Sequence, residues 1–428
     1  MSPSFLTPNV YVVEVSTGSR PIQAVGTSTA AFVGVAPDPG AHLGEAFAVN
    51  SWSHFVKEFV PDQGGQSTPL SHAVAGFFQN GGTRGFIVNI KSGDPIAGTD
   101  RPVRTGLKLL ETVDEVAIVL APGYCDPQSY EALLSHAENM RDRVAILDAP
   151  LNVPDTGLLT TAATAPVPAA PTDSGSGSSS KKSASTAATS PDASAAAPPP
   201  PAQPSGLRPR VSPGGYGAFY FPWIVVPDAL DPKGVLVNVP PSGHMAGIWA
   251  RSDSTRGVHK APANEPVRGG LNVTYRVTDG EQGDLNSNGV NCIRFFPQEG
   301  ILCWGARTVA EASSEWRYLN VRRLFNMIEE SIADSTRWIV FEPNDQGLWK
   351  SIRRDITAFL TLVWRDGALM GASPEQAFFV KCDAETNPPE VIDAGQVVTL
   401  IGIAPVKPAE FIVFRIGQQA SGTKVETV

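Results

Sequence analysis

Short apolar runs dense in β-branched and aromatic residues recur from about Val33 to Pro150, separated by stretches with helical spacing. AAFVGVA, GFIVNI, EVAIVLAP and RVAILDAP are the strands, and the alternation predicts a largely parallel sheet with crossover helices. One helix is predicted from Pro69 to Asn80, with Ser67 or Thr68 as N-cap, Pro69 in its first turn and Gly81-Gly82 as its stop. A second is predicted from Pro127 to Arg141, capped by Asp126 and carrying Leu133, Leu134, Ala137 and Met140 on one face.

The periodicity then disappears. From about Pro154 to Pro213 almost every residue is Ala, Pro, Ser, Thr or Gly, including SGSGSSSKKSAS and AAAPPPPAQP. Such a segment buries too little apolar surface to offset its ordering entropy. It reads as a disordered insert in one folded unit or as a linker between two. The insert is favoured, because APLNVP before it and GAFYFPWIVVPDAL after it can both supply strands to one sheet. Pro240 to Arg307, rich in Gly, Pro and Asn, reads as long structured loops.

After Trp316 the helical period returns. YLNVRRLFNMIEESIA places Val321, Leu324, Phe325, Ile328 and Ile332 on one face. LWKSIRRDITAFLTLVW does the same with Trp349, Ile352, Ile356, Phe359, Leu360 and Val363, and Gly367 ends it. AFFVKC, VVTLIGIA and EFIVFRI are the closing strands.

Composition narrows the function classes. The 428 residues carry 42 acidic and 33 basic side chains, a net charge of −9, with no basic run to track a phosphate backbone, so no nucleic-acid partner is expected. No apolar run approaches the roughly 18 residues that span a bilayer, and MSPSFLTPNV lacks the features of a secretory signal. The chain is therefore expected to be cytoplasmic at synthesis, without direct membrane insertion. Cys125, Cys292, Cys303 and Cys382 are scattered without C-x-x-C pairs and read as reduced packing residues.

Three stretches invite chemistry. DLNSNG, Asp284 to Gly289, opens like a calcium loop, but position twelve is Phe295 where a glutamate is needed, so an asparagine-rich turn is expected. SGHMAGIWARSDSTRGVH gathers Ser242, His244, Asp253 and His259; G-H-M-A-G puts histidine where a nucleophile elbow needs serine, and a self-bonded loop explains the composition. Asp148 closes a strand where open α/β sheets bind ligands, yet no phosphate-binding glycine motif accompanies it. An α/β enzyme with a site near Asp148 thus remains an alternative, with no cofactor or metal expected.

The charges on the late helices are more informative. Arg317, Arg322 and Arg323 precede Glu329 and Glu330 on the first, opposing the helix dipole. Lys350, Arg353 and Arg354 share a face of the second, forming a positive patch that is either solvated or complementary to an acidic partner.

The chain ends are alike. Val10, Tyr11, Val12, Val13, Glu14 and Val15 form one strand, and Phe411, Ile412, Val413, Phe414, Arg415 and Ile416 another, each beyond a polar or proline-containing tether, STGSRP and PVKPAE. Neither tether is expected to fix its strand to its own domain, and an unpaired apolar strand is an aggregation hazard. The strands therefore pair within the subunit or are lent to neighbours. Burying Tyr11, Val13 and Val15 yields roughly 1.5–3 kcal/mol each, while ordering six residues costs about 1–2 kcal/mol apiece. One joint is marginal; many in a lattice are durable.

TPNVYVVEVSTGSRPIQAVGTSTAAFVG, PPSGHMAGIWARSDSTRGVHKAPAN, LNSNGVNCIRFF, WGARTVAEASSEWRYLNVRRLFNMIEESI, FEPNDQGLW, AFFVKCDAETNP and PAEFIVFRI occur in this order. Together they resemble the tail sheath proteins of contractile phage tails and contractile injection systems, over most of the chain outside the insert. The resemblance implies a non-enzymatic subunit that polymerises around an inner tube and contracts from a metastable extended state to drive that tube through a target envelope. It implies a mixed α/β main domain with an α+β C-terminal domain and exchanged terminal β-strands. On that basis 1–25 is an N-terminal arm, 26–153 with 214–301 the main domain, 154–213 the insert and 302–428 the C-terminal domain. Implied partners are further copies of the chain, the inner tube protein, the baseplate and a tail-terminator or cap protein. Lys350, Arg353 and Arg354 are the candidate tube contact. A static shell protein is the other alternative.

Overall fold

In the computed structural model, residues 21–61, 64–163 and 206–413 are described. Strands β1 (Ala30–Gly34), β2 (Ala46–Val49), β3 (Gly85–Asn89), β4 (Ile118–Leu120), β5 (Val144–Asp148) and β6 (Gly217–Phe221) come first along the chain. β7 (Ile224–Pro227), β8 (Leu236–Val239), β9 (Glu265–Pro266), β10 (Asn272–Val273), β11 (Val290–Phe296) and β12 (Gly300–Cys303) follow. The four strands expected before Pro150 are β1, β3, β4 and β5. The main sheet runs β2-β3-β1-β4-β5-β6-β11-β12-β9, parallel from β3 to β11 and antiparallel at both margins. β10, β7 and β8 form a separate antiparallel sheet.

Every residue of β1, β3, β4, β5 and β6 is buried, as expected of parallel strands covered on both faces. On one face lie helices α1 (Trp52–Phe59), α2 (Pro69–Asn80) and α4 (Ser242–Arg256), with Phe32, Phe77, Tyr220 and Trp249 in the core. On the other lies α3 (Pro127–Met140), its Tyr130, Leu133 and Leu134 in one core with Val33, Val119 and Leu147. The caps fall where the sequence puts them: Thr68 accepts from the Ser71 amide, and Asp126 from Gln128 and Ser129.

Three expectations are corrected. Residues 154–163 and 206–213, expected to be irregular, include packed positions: Leu159 is fully buried, and Arg210 is paired with Glu131 and Glu138. β5 and β6, on either side of residues 154–213, are adjacent parallel strands, whereas APLNVP forms no strand. SGHMAGIWARSDSTR is helix α4, buried nearly all round, and not a loop. Its glycines serve packing: a Cβ on Gly243 would lie 2.2 Å from the Ala73 carbonyl oxygen of α2, and one on Gly247 2.5 Å from that of Phe77. DLNSNG forms the end of helix α5 (Asp279–Ser287), whose Thr278–Glu281 capping box sets its start, and the turn beyond it.

The C-terminal part has its own core. Helices α6 (Leu319–Ser335) and α7 (Gln346–Arg365) pack through Leu324, Ile328, Ile352, Ile356, Phe359 and Leu360. The short α8 (Pro374–Ala377) and α9 (Pro389–Asp393) flank an antiparallel pair, β13 (Phe378–Lys381) and β14 (Leu400–Ile403).

Candidate assembly interfaces

The residues that invite chemistry in the sequence are engaged in packing and tethering contacts. Asp148 is buried and accepts the Ser242 amide (2.8 Å), the Ser242 hydroxyl (2.7 Å) and the Gly123 amide (3.2 Å), tying the end of β5 to the start of α4. Burial pushes its carboxyl up to about 6 against the pull of those hydrogen bonds. His244 lies against Gly76, where a Cβ would be 2.3 Å from the imidazole; burial, with His72 adding to it, pushes it down to about 3. Asp253 is taken by Arg323 and by the Thr27 hydroxyl, and His259 is half-buried. Ser242, His244 and Asp253 do not bond one another among the described residues. The Ser, His and Asp of this segment are therefore packing and tethering groups.

The first and last described stretches of the chain are both held to the folded body. Ile22 is buried in the C-terminal core, and the Gln23 and Val25 amides donate to the hydroxyls of Ser335 and Ser331 on α6 (3.3 and 3.0 Å). Two residues on, Arg323 of α6 meets Asp253 of α4 at 2.9 and 2.5 Å and donates to the Thr27 carbonyl at 2.9 Å. At the other end Glu410 pairs with the buried Arg307 (2.9 and 2.5 Å), which also donates to the Asn286 carbonyl. This corrects the expectation for PVKPAE: Glu410 and Val406 fix that tether to its own subunit, Val406 donating to the Ala368 carbonyl and accepting from Asn320.

Immediately after Glu410 the chain turns outward. Phe411, Ile412 and Val413 are each about three-quarters exposed (75%, 74% and 77%) and form no strand. Phe414, Arg415 and Ile416, with Val10, Tyr11, Val12, Val13, Glu14 and Val15, lie outside the described residues.

The strands β13 and β14 fall on the predicted AFFVKC and VVTLIGIA, but nothing in their sequence shows that they stand as a pair. Their register pairs Phe378 with Ile403 and Lys381 with Leu400, and among the described residues no third strand flanks them. Phe379 lies across Gly402, where a Cβ would clash with the ring at 2.1 Å, while Phe379 and Leu400 remain exposed. Only an isolated bridge, Leu369 to Pro405, lies beside the end of β14, and a two-stranded apolar pair is incomplete as a sheet.

On α7, Lys350, Arg353 and Arg354 are all exposed. Arg354 bonds Asp355 at 3.0 Å, whereas Lys350 and Arg353 have no acidic partner among the described residues. Of the other basic group, Arg317 precedes α6 and Arg322 and Arg323 are buried, Arg322 stacked over Trp316 and Tyr216. Only the α7 group is a surface patch. No helix among the described residues is long and apolar enough to cross a membrane.

Comparison with known proteins places these features. Residues 208–309 match the phage tail sheath protein central domain and residues 311–419 the phage tail sheath C-terminal domain. The tail sheath protein of Vibrio phage KVP40 is 29% identical over 177 residues, 41% of this chain and 26% of that protein. That of Salmonella phage ViI is 30% identical over 187 residues, 43% of this chain and 28% of its own length. The matched stretch thus spans about a quarter of those phage relatives. Solved structures are similar over nearly the whole chain. The sheath of the extracellular contractile injection system PVC, in its contracted state, is 26% identical with a TM-score of 0.69, covering 98% of this chain and 99% of that one. The contracted helical sheath of the anti-feeding prophage is 26% identical, also with a TM-score of 0.69, covering 97% and 100%. With two sheath domains matched in tandem and the whole fold shared with assembled sheaths, the chain belongs to the contractile tail sheath family.

Proposed function

We propose that this chain is the structural subunit of a contractile sheath, polymerising around an inner tube and shortening from a metastable extended state to drive that tube through a target envelope. The observation that carries the reading is the near-complete likeness to two injection-system sheaths in their contracted state. The anchored arm roots and the two-stranded pair β13 and β14 support a link in which Val10 to Val15 and Phe411 to Ile416 add strands to a neighbouring subunit's pair. The domain division follows: an N-terminal arm, a main α/β domain interrupted by the low-complexity segment, and a C-terminal domain ending in the second arm. Further copies of the chain are the first partner, and a baseplate the second, by analogy with the anti-feeding prophage baseplate structure. The α7 patch faces an acidic tube surface. No catalytic role is assigned, because Asp148, His244 and Asp253 are committed to packing and tethering. The subunit is cytoplasmic when made and then part of a contractile particle.

Deleting residues 1–18 tests the link. The account expects a folded, soluble subunit unable to build sheaths; normal sheaths from that deletion overturn the arm assignment. Reversing the charges of Lys350, Arg353 and Arg354 is expected to weaken tube association while sparing sheath contacts. Unchanged co-assembly returns the patch to solvent.

A further inference from the structure

Where α6 lies against the main sheet, Glu330 lines a cavity of about 10 Å³ together with Asp142, Ala117, Arg323, Asn326 and the tether residues Val25 to Thr27. The carboxyls come from different domains: Glu330 is on α6, and Asp142 is in the turn between α3 and β5. Asp142 is neutralised by Arg143 at 2.6 and 2.8 Å, and Arg323 by Asp253, but Glu330 has no hydrogen bond or ion pair among the described residues. Asn326 is buried, accepts at Oδ1 from Arg322, and leaves Nδ2 without a partner. The space suits no more than a water-sized group. With two guanidinium groups already beside it, the cavity fits a proton better than a metal ion.

We propose that Glu330, which has no partner among the described residues in the cavity between α6 and the main sheet and stands near the Asp142 carboxylate, takes up a proton there, so that the segment leading to the N-terminus is held more firmly in acid. A half-buried carboxylate without a partner is costly in its charged form, and a nearby carboxylate adds to that cost; protonating Glu330 removes it. The surrounding charges give the sign. Facing Glu330 are Asp142 and Arg143 from the α3–β5 turn, Asp114 from the loop before β4, and Asp334 on its own helix; Arg337 bridges Asp334 (2.8 Å) to Asp114 (3.8 Å). Burial first, and then Asp142 and Asp334, push the Glu330 carboxyl up to about 7. The docked seam binds the proton more tightly than the open one, so its hold is strongest below the ordinary glutamate range and weakens as pH rises through neutrality. Because Val25 and Thr27 line the same cavity and are bonded to α6 and α4, opening the seam loosens the arm root.

Hydrogen exchange of the full-length subunit, corrected for intrinsic rates, tests this on peptides covering 21–29 and 319–335, with α7 peptides as the internal reference. Protection of the first two relative to α7 is expected to fall about tenfold between about pH 6 and about pH 8.5. Glu330→Gln, which keeps the shape and removes the charge, is expected to hold the acid-level protection at both values. Asp142→Asn is expected to move the transition to lower pH. A wild-type slope that persists in Glu330→Gln overturns the proposal, as does a flat wild-type profile or a variant less protected at both pH values.

Discussion

Arg323 and Asp253 form an ion pair across the two domains, their side chains only 3% and 7% exposed, with Arg323 also lying over the Trp249 ring. The pair fixes α6 to α4 and at the same time clamps Thr27, through its carbonyl to Arg323 and its hydroxyl to Asp253. A pull on the chain leading into Thr27 therefore reaches both domains at once.

Removing one member of this pair leaves the other buried and uncompensated. Arg323→Met is expected to destabilise the subunit by about 3–5 kcal/mol, because the orphaned charge costs more than the contact itself. Combining it with Asp253→Leu is expected to recover part of that loss, the remainder being the Thr27 bonds. Urea unfolding of the single and double variants checks this; equal stability of Arg323→Met and the wild type contradicts it.

The α2–α4 contact makes a second prediction, with an internal control. A Cβ at Gly243 meets the backbone of Ala73 at 2.2 Å, so Gly243→Ala must push two helices apart and is expected to cost about 1–3 kcal/mol or more. On α5, Gly283 has nothing within 4 Å, and Gly283→Ala is expected to stabilise by up to about 1 kcal/mol through helix propensity. Thermal melts of the two variants should shift in opposite directions.

His244 sets an acid limit. The folded chain holds the imidazole neutral down to about 3, whereas in the unfolded chain it takes a proton near its ordinary value. Between these values the unfolded state binds more protons, so this contribution is fully present above about pH 6.5 and is lost as pH falls toward the folded value. Burial of His136, pushed down to about 4, acts in the same direction. In His244→Asn the fall in the urea midpoint on acidification is expected to be shallower. An unchanged slope contradicts the assignment.

The buried parallel strands and the two late helices were legible because each carries a regular apolar period. Helix α4 was not: buried on every side, it has no polar face to set a 3.6-residue rhythm, and the glycines that let it approach α2 imitate loop composition. The arm anchors were invisible for another reason. Arg307 and Glu410 lie 103 positions apart, Asp253 and Arg323 70 positions apart, and no local pattern announces such partners. The α7 patch was legible because helical spacing alone brings Lys350, Arg353 and Arg354 together. That β13 and β14 form a sheet of two strands among the described residues emerges only when the strands on either side can be counted.

Electron microscopy of the purified full-length chain, assembled with its tube partner and then triggered, addresses the central claim most directly. The account predicts striated tubes in two forms, a narrow extended one and a shorter, wider contracted one, with terminal strands of one subunit beside β13 and β14 of another. Persistent monomers under assembly conditions, or a lattice of one fixed diameter, would contradict it.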